Sequence, residues 1–291
     1  MDTSYGETEK RLRISRNVEA KEMASDVISY QQIMKFEKGQ TMISADKLIY
    51  LLEFLNVSMD EFEYARHLIL GDSDIFFNQK IETAFRHKDQ AKLRTLLKIT
   101  KEQIKKTPNN RHFLIHMIEI KSALLKLNAH LKIPKNEIQK LYHYLSKIKE
   151  WAQSDVILFL NCINLFDDIQ LITLVHRMIY PDTHDILSTH TQTQINLALL
   201  KVISIFTKRN DFSHIRELFL YLDEHIHSDI NTSERALLAY HKALFNYCQE
   251  PNANHLEKLK QFISAFELIG CFDIANDLDR EITYYHAYFS I

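Results

Sequence analysis

The stretch Ser29-Tyr-Gln-Gln-Ile-Met-Lys-Phe-Glu-Lys-Gly39 carries side chains suited to reading a surface of hydrogen-bond donors and acceptors. A glutamine can bond adenine through both atoms of its carboxamide, and a lysine can donate to guanine acceptors or to phosphate. Ile33 and Phe36 stand three residues apart and share one face of a helix. With that face buried, Tyr30, Gln31, Gln32 and Lys35 occupy the exposed amino-terminal side, the part of a recognition helix that meets base edges in the major groove. Arg11 and Arg13, with Lys10 and Arg16, form a basic cluster upstream, and Lys38 and Lys47 follow downstream, where they could hold phosphates. The plain alternative for the same residues is a solvated polar helix face.

Other patterns carry less chemistry. His112 and His116 have the i, i+4 spacing that puts two imidazoles on one helix face, but no Glu follows the first and no third ligand is assignable, so no metal is expected. Gly6, Gly39, Gly71 and Gly270 lie too far apart for a phosphate-binding loop or a dinucleotide fingerprint. Asp167-Asp168 reads as a helix start, and no nucleophile sits in a strand-to-helix elbow. The expectation is a protein without a catalytic site and without a cofactor.

The elements that must position these residues are helices. Four glycines and four prolines in 291 residues are too few for the turns of a sheet-rich protein, so the fold class expected is all-α. Ser29 with Gln32, and Ser58 with Glu61, have the spacing of capping boxes. Leu48, Leu51, Leu52 and Leu55 repeat at helical spacing. Helices are expected near 4–17, 20–27, 29–37, 45–55 and 59–70, a five-helix helix-turn-helix domain over 1–70, with Gly39 as a left-handed C-cap. Gly71-Asp-Ser-Asp74 marks the expected boundary to a second domain over 71–291.

In that second domain, helical segments alternate with breaks near Lys88-Asp89, Pro108-Asn109-Asn110, Pro134, Pro181-Asp182, Asn210-Asp211, Ser228-Asp229, Pro251-Asn252 and Gly270. The cadence suits an α-solenoid of tetratricopeptide-like hairpins, without a strict repeat consensus. Three cysteines without ligand spacing suit a reducing cytosol. No apolar run reaches the ~18 residues of a membrane span, so a cytoplasmic protein without a membrane partner is expected. Net charge is −2, and residues 1–70 hold nine Lys/Arg against twelve Asp/Glu, so phosphate contact would have to come from local clustering. That balance supports the alternative function, a helical-repeat protein-interaction scaffold that does not bind DNA.

Gly6 to Phe62 resembles the helix-turn-helix of the Rgg/GadR/MutR regulators, at Gly6, Arg13, Ser29, Gln32, Ile33, Phe36, Glu37, Gly39, Ser44, Leu48, Leu52, Leu55 and Asp60-Glu-Phe62. Trp151-Ala-Gln-Ser-Asp155 with Leu158-Phe-Leu-Asn161 is similar to a segment of the same family's second domain. The chain departs from the family pattern at Met34 and Lys35, where Ser and Arg are usual. The resemblance implies a homodimeric transcriptional regulator of a peptide-sensing, quorum-sensing superfamily. Two heads would bind a two-fold operator in double-stranded DNA, and a repeat-domain groove would take a short peptide pheromone. On this resemblance Asn161 and Asn196 become candidate clamps for a peptide backbone, and helix–helix bonding is their alternative. Arg86 is a candidate partner for a peptide carboxylate, and Tyr240 a candidate groove residue with core packing as its alternative.

Overall fold

The computed structural model describes residues 2–70, 77–108, 110–127, 130–181, 189–226 and 231–289. Among them the chain forms fifteen α-helices and no strand. Two compact units divide it, Met1–Asp89 and Gln90–Ile291. The expected boundary at Gly71–Asp74 lies outside the described residues, as do Asn109, Asp182, Ser228 and Asp229 of the expected breaks.

The first unit contains α1 (Ser4–Ser15), α2 (Tyr30–Glu37), α3 (Ala45–Phe54), α4 (Met59–Leu70) and α5 (Phe77–Arg86). Both capping boxes form. Ser29 accepts from the Gln32 amide while Gln32 Oε1 accepts from the Ser29 amide at 3.1 Å, and Ser58 and Glu61 repeat the exchange. Gly39, at φ +65°, ends α2 in the left-handed conformation. Its amide reaches the Phe36 carbonyl and the Gln40 amide reaches that of Lys35, the paired bonds of a Schellman ending.

The helix expected over 20–27 does not form. Its place is taken by turns with i→i+3 bonds, Glu22 to Glu19 and Ala24 to Lys21, closed by the Ser25 amide on the Ile28 carbonyl. The reason lies in which side chains the core needs. A helix that buries Met23 would turn Val27 inward with it, yet the core takes Met23 and Ile28, which are 0% and 1% exposed, and leaves Val27 at 42%. The Glu22 carboxylate also binds the Glu19 amide at 2.7 Å, which favours a single tight turn.

Met23, Ile28, Ile33, Phe36, Leu51, Leu52, Leu55 and Phe62 make this unit's core. Helix α1 packs on α4 and α2 with an unusual inner face of Ser4, Gly6, Thr8 and Glu9. A Cβ on Gly6 would stand 1.9 Å from the Phe36 carbonyl oxygen, so only glycine permits this approach. Beside it, Arg13 holds both Glu37 oxygens, Nε to Oε1 at 2.7 Å and Nη2 to Oε2 at 3.0 Å, and gives Nη1 to the Val18 carbonyl. Glu9 is fully buried next to this pair and neither of its oxygens has a hydrogen-bond partner. Desolvation, then repulsion by Glu37, pushes its carboxyl up to about 8 against some relief from Arg13.

The second unit runs α6 (Gln90–Lys106), α7 (Arg111–Lys126), α8 (Lys135–Leu145), α9 (Gln153–Cys162), α10 (Asp168–Ile179), α11 (Thr189–Lys208), α12 (Ile215–His225), α13 (Thr232–Gln249), α14 (Ala253–Leu268) and α15 (Phe272–Phe289). Helices α7, α9, α11 and α13 touch in sequence and form one row. Helices α6 and α8 lie on α7, α10 and α12 on α11, and α14 on α13, with α15 following on α14. This is the expected stacking of helical hairpins. The middle helix, α11, is buried from Val202 to Thr207 without interruption, as a helix enclosed on several sides must be. Positive φ at Lys88, Asn210 and Gly270 marks three of the expected breaks.

Gly6→Ala should force α1 off the end of α2 and cost about 3 kcal/mol, the upper range for overpacking. Hydrogen exchange of the α2 amides in the full chain should accelerate accordingly. Glu9→Gln should act through pH. The folded carboxyl holds its proton while the unfolded one, near 4.5, releases it, so wild-type stability falls as pH rises from about 4.5 to about 8 and is level above. The variant should match wild type near pH 4.5, exceed it at pH 8, and flatten the slope between, which denaturation at stepped pH would measure.

Candidate functional site

Helix α2 turns Ile33, Phe36 and Glu37 inward and leaves Tyr30, Gln31, Gln32, Lys35 and Lys38 exposed. Tyr30, Gln31, Met34, Lys35, Lys38 and Gln40 line one shallow hollow on the surface. The geometry offers an amide, a phenol and two ammonium groups on a rigid, capped helix, which suits base edges flanked by phosphates. Lys47 of α3 reaches the same helix, its Nζ 3.5 Å from Gln32 Oε1. Arg11, with Lys10 and Arg16, is exposed on α1.

Two of the expected contacts have other work. The Arg13 guanidinium is 11% exposed and uses three nitrogens on Glu37 and Val18, so it joins α1 to α2 instead of facing phosphate. Gln32 places its carboxamide oxygen on the Ser29 amide and Lys47, so the two-point adenine contact would require giving up the cap. Gln31 and Lys35 carry no such commitment and keep their polar groups exposed.

In the second unit, Asn161 is exposed at the end of α9 and gives Nδ2 to Glu119 at 3.3 Å, while its carbonyl accepts from Ser122 and Lys126. Glu119 in turn bonds His116 at 3.2 Å, and His116 bonds His112 at 2.7 Å, so the expected histidine pair closes on itself as a polar chain along α7. Asn196 is 1% exposed and accepts from Gln192 one turn earlier on α11, a bond within the helix and not between helices. Tyr240 is fully buried, with its hydroxyl at 3.3 Å from both the Leu278 carbonyl and Glu281, because α15 covers it. It is a core residue and lines no groove. Arg86 pairs with Glu82 on the surface of α5 and belongs to the first unit.

Sequence reasoning passed over a cavity of about 700 Å³ among α11, α13 and α15, bordered by Lys201, Ser204, Lys208, His241 and Glu281. A signal was present in the two lysines of α11, two helical turns apart on one face of a helix that carries no Asp, Glu or Arg. His241 is a buried imidazole whose pKa falls to about 4, first through desolvation, with Lys201 and Lys208 adding to it and Glu281 opposing.

Comparison with known proteins agrees with this arrangement. Residues 96–280 match the family model described as the HTH-type transcriptional regulator Rgg, C-terminal domain, and residues 10–62 match a helix-turn-helix model. Among solved structures, the Streptococcus dysgalactiae SHP pheromone receptor Rgg2 is similar at 20% identity over 97% of this chain and 99% of that one, with a TM-score of 0.79. A transcriptional regulator of Listeria monocytogenes, itself described as putative, is 18% identical over 99% of both chains, with a TM-score of 0.77. A bacterial peptide pheromone/receptor complex is 17% identical over 96% of this chain and 97% of that one, with a TM-score of 0.72. Among the described residues no helix is long and apolar enough to cross a membrane.

Gln32→Ala should remove the reciprocal half of the capping box and lower local stability by about 1 kcal/mol, whereas Gln31→Ala should leave it unchanged. Arg13→Met should cost more, about 3 kcal/mol, by leaving Glu37 buried without its partner. Protection of α2 amides against hydrogen exchange would rank the three variants.

Proposed function

Because the chain belongs to the family of Rgg helix-turn-helix transcriptional regulators, we propose that it works in the cytoplasm as a dimer that reads a two-fold operator and answers to a short peptide. In this reading the first domain, residues 1–70, binds double-stranded DNA, and residues 71–291 provide dimerisation and the peptide site. No enzymatic step is assigned to it.

The observation that carries the DNA reading is the exposed side of capped α2, where Gln31 and Lys35 stand free for base edges beside Tyr30 and Lys38. Arg11, with Lys10 and Lys47, supplies phosphate contacts that fix register, and Arg13 and Gln32 act by holding α2 at its angle. The peptide reading is supported by two of the similar structures, described as an SHP pheromone receptor and a peptide pheromone/receptor complex. In the repeat domain Asn161 remains the accessible amide of those expected to meet a peptide. A peptide can control such a dimer only by binding one arrangement of the two heads more tightly than another.

Selection of fragmented genomic DNA by the purified chain should recover a site with dyad symmetry, and a Gln31→Ala/Lys35→Ala double variant should lose that preference. Affinity should fall steeply with salt, and Arg11→Ala should reduce the log–log slope by about one. A chain that enriches no sequence at low salt would instead support the scaffold reading.

A further inference from the structure

Helices α1 and α2 meet over two carboxyl groups and one guanidinium. Arg13 gives Nε and Nη2 to the two oxygens of Glu37 and Nη1 to the Val18 carbonyl, so each of its three nitrogens is engaged. Glu9, one turn before Arg13 on α1, is 0% exposed, and neither of its oxygens has a hydrogen-bond partner. The charges around it are Arg13 of its own helix and Glu37 of α2, with the Tyr30 phenol close to the guanidinium. Helix α4, which also packs on α1, brings Arg66 and His67, and both are turned to Glu63, with Asp2 on Arg66 as well. Gly6 lies on the same inner face of α1 as Glu9 and brings it against the Phe36 carbonyl, so the two acids are enclosed together. A buried carboxylate without a partner is costly unless it keeps its proton.

We propose that Glu9 is a positioning residue for DNA recognition, whose proton, held or released, decides whether the Arg13–Glu37 clamp keeps α2 at the angle that reads the operator. The inference rests on the DNA reading above and goes beyond it by making operator affinity depend on pH. With the proton held, the cluster contains one negative and one positive charge. With the proton released, two carboxylates face one guanidinium in an enclosed space, and one cation cannot compensate both. Arg13 then divides between them and gives up one of its two parallel bonds to Glu37, or α1 withdraws from the end of α2 and water enters. Either change frees the carboxyl-terminal end of the helix whose exposed side bears Gln31 and Lys35. Burial, more than repulsion by Glu37, holds the Glu9 carboxyl up to about 8, so the change falls just above neutral pH.

The operator recovered by genomic selection would be titrated with the full-length protein by fluorescence anisotropy from pH 6 to pH 9 at fixed ionic strength, with circular dichroism recorded at each point. Wild-type affinity should be level up to about pH 7 and about tenfold weaker at pH 9 for each head engaged, since a carboxyl that loses its proton near pH 8 must regain it to bind. Helix content should stay constant over that range. Glu9→Gln and Glu9→Met should keep the affinity that wild type has at pH 6 throughout. Calorimetry of operator binding at pH 8, in two buffers of different ionisation enthalpy, should show uptake of about half a proton per head by wild type and none by either variant. A wild-type affinity level to pH 9, a fall that both variants share, or a fall that follows loss of helix content would overturn the role of Glu9 and leave the DNA reading standing. Failure to enrich any operator at any pH would overturn both.

Discussion

Helix α2 can present its polar side to a groove only because its other end is pressed against α1. Gly6 gives the Phe36 carbonyl room that no other residue would leave, and Arg13 then reaches Glu37 with two parallel hydrogen bonds. A buried ion pair contributes little net stability but penalises any geometry that separates its partners. The contact therefore acts chiefly on the angle of α2. The Schellman ending at Gly39 and the capping box at Ser29 fix the two ends of the same eight-residue helix, which would be too short to hold together alone. An unpartnered Glu9 beside the clamp is tolerated in its neutral form, so the site trades stability at high pH for close packing.

The second unit applies the opposite logic to polar groups. Along α11, Ser204 and Thr207 are enclosed with the aliphatic residues, and each finds a partner, Glu281 for the first and the Ile203 carbonyl for the second. Asn196 and Tyr240 are satisfied in the same way. Against this background of completed bonds, the bare Nδ1 of His241 and Nε1 of Trp151 are departures from the rule that buried polar atoms are paired.

The helices that close on local signals were legible in the sequence. Capping spacing located α2 and α4, and the glycine at 39 located the end of α2. Segment 20–27 was not, because its composition fits a helix while its register is decided by Ile28 entering a core made of distant residues. The roles of Arg13 and Gln32 failed for a related reason. Residue type says what a side chain can bond, but Glu37 lies 24 positions from Arg13 and claims it first. Gln32 was visible both as a cap and as a base reader, and one carboxamide oxygen cannot serve the two together. Asn196 is placed by likeness to a family and Tyr240 by its helix face, and neither level shows the cover that α15 gives Tyr240 or the bond that Gln192 gives Asn196.

The acidic balance of the first 70 residues looks adverse to DNA until each charge is followed to its place. Glu9 is neutral at pH 7, Glu37 is consumed by Arg13, and Asp2 and Glu63 lie on Arg66. Glu22 and Glu61 bond backbone amides and keep their charge. Of the cations, Arg13 and Arg66 are drawn into pairs, while Lys10, Arg11, Arg16, Lys21, Lys35 and Lys38 remain exposed. The field a phosphate meets is set by exposed charge, since buried pairs cancel over a few ångströms and surface groups act across a Debye length of about 10 Å. With the neutral and paired groups removed, eight acids and seven cations remain of the twelve and nine, so a net count overstates the acidity that a polyanion meets at the surface.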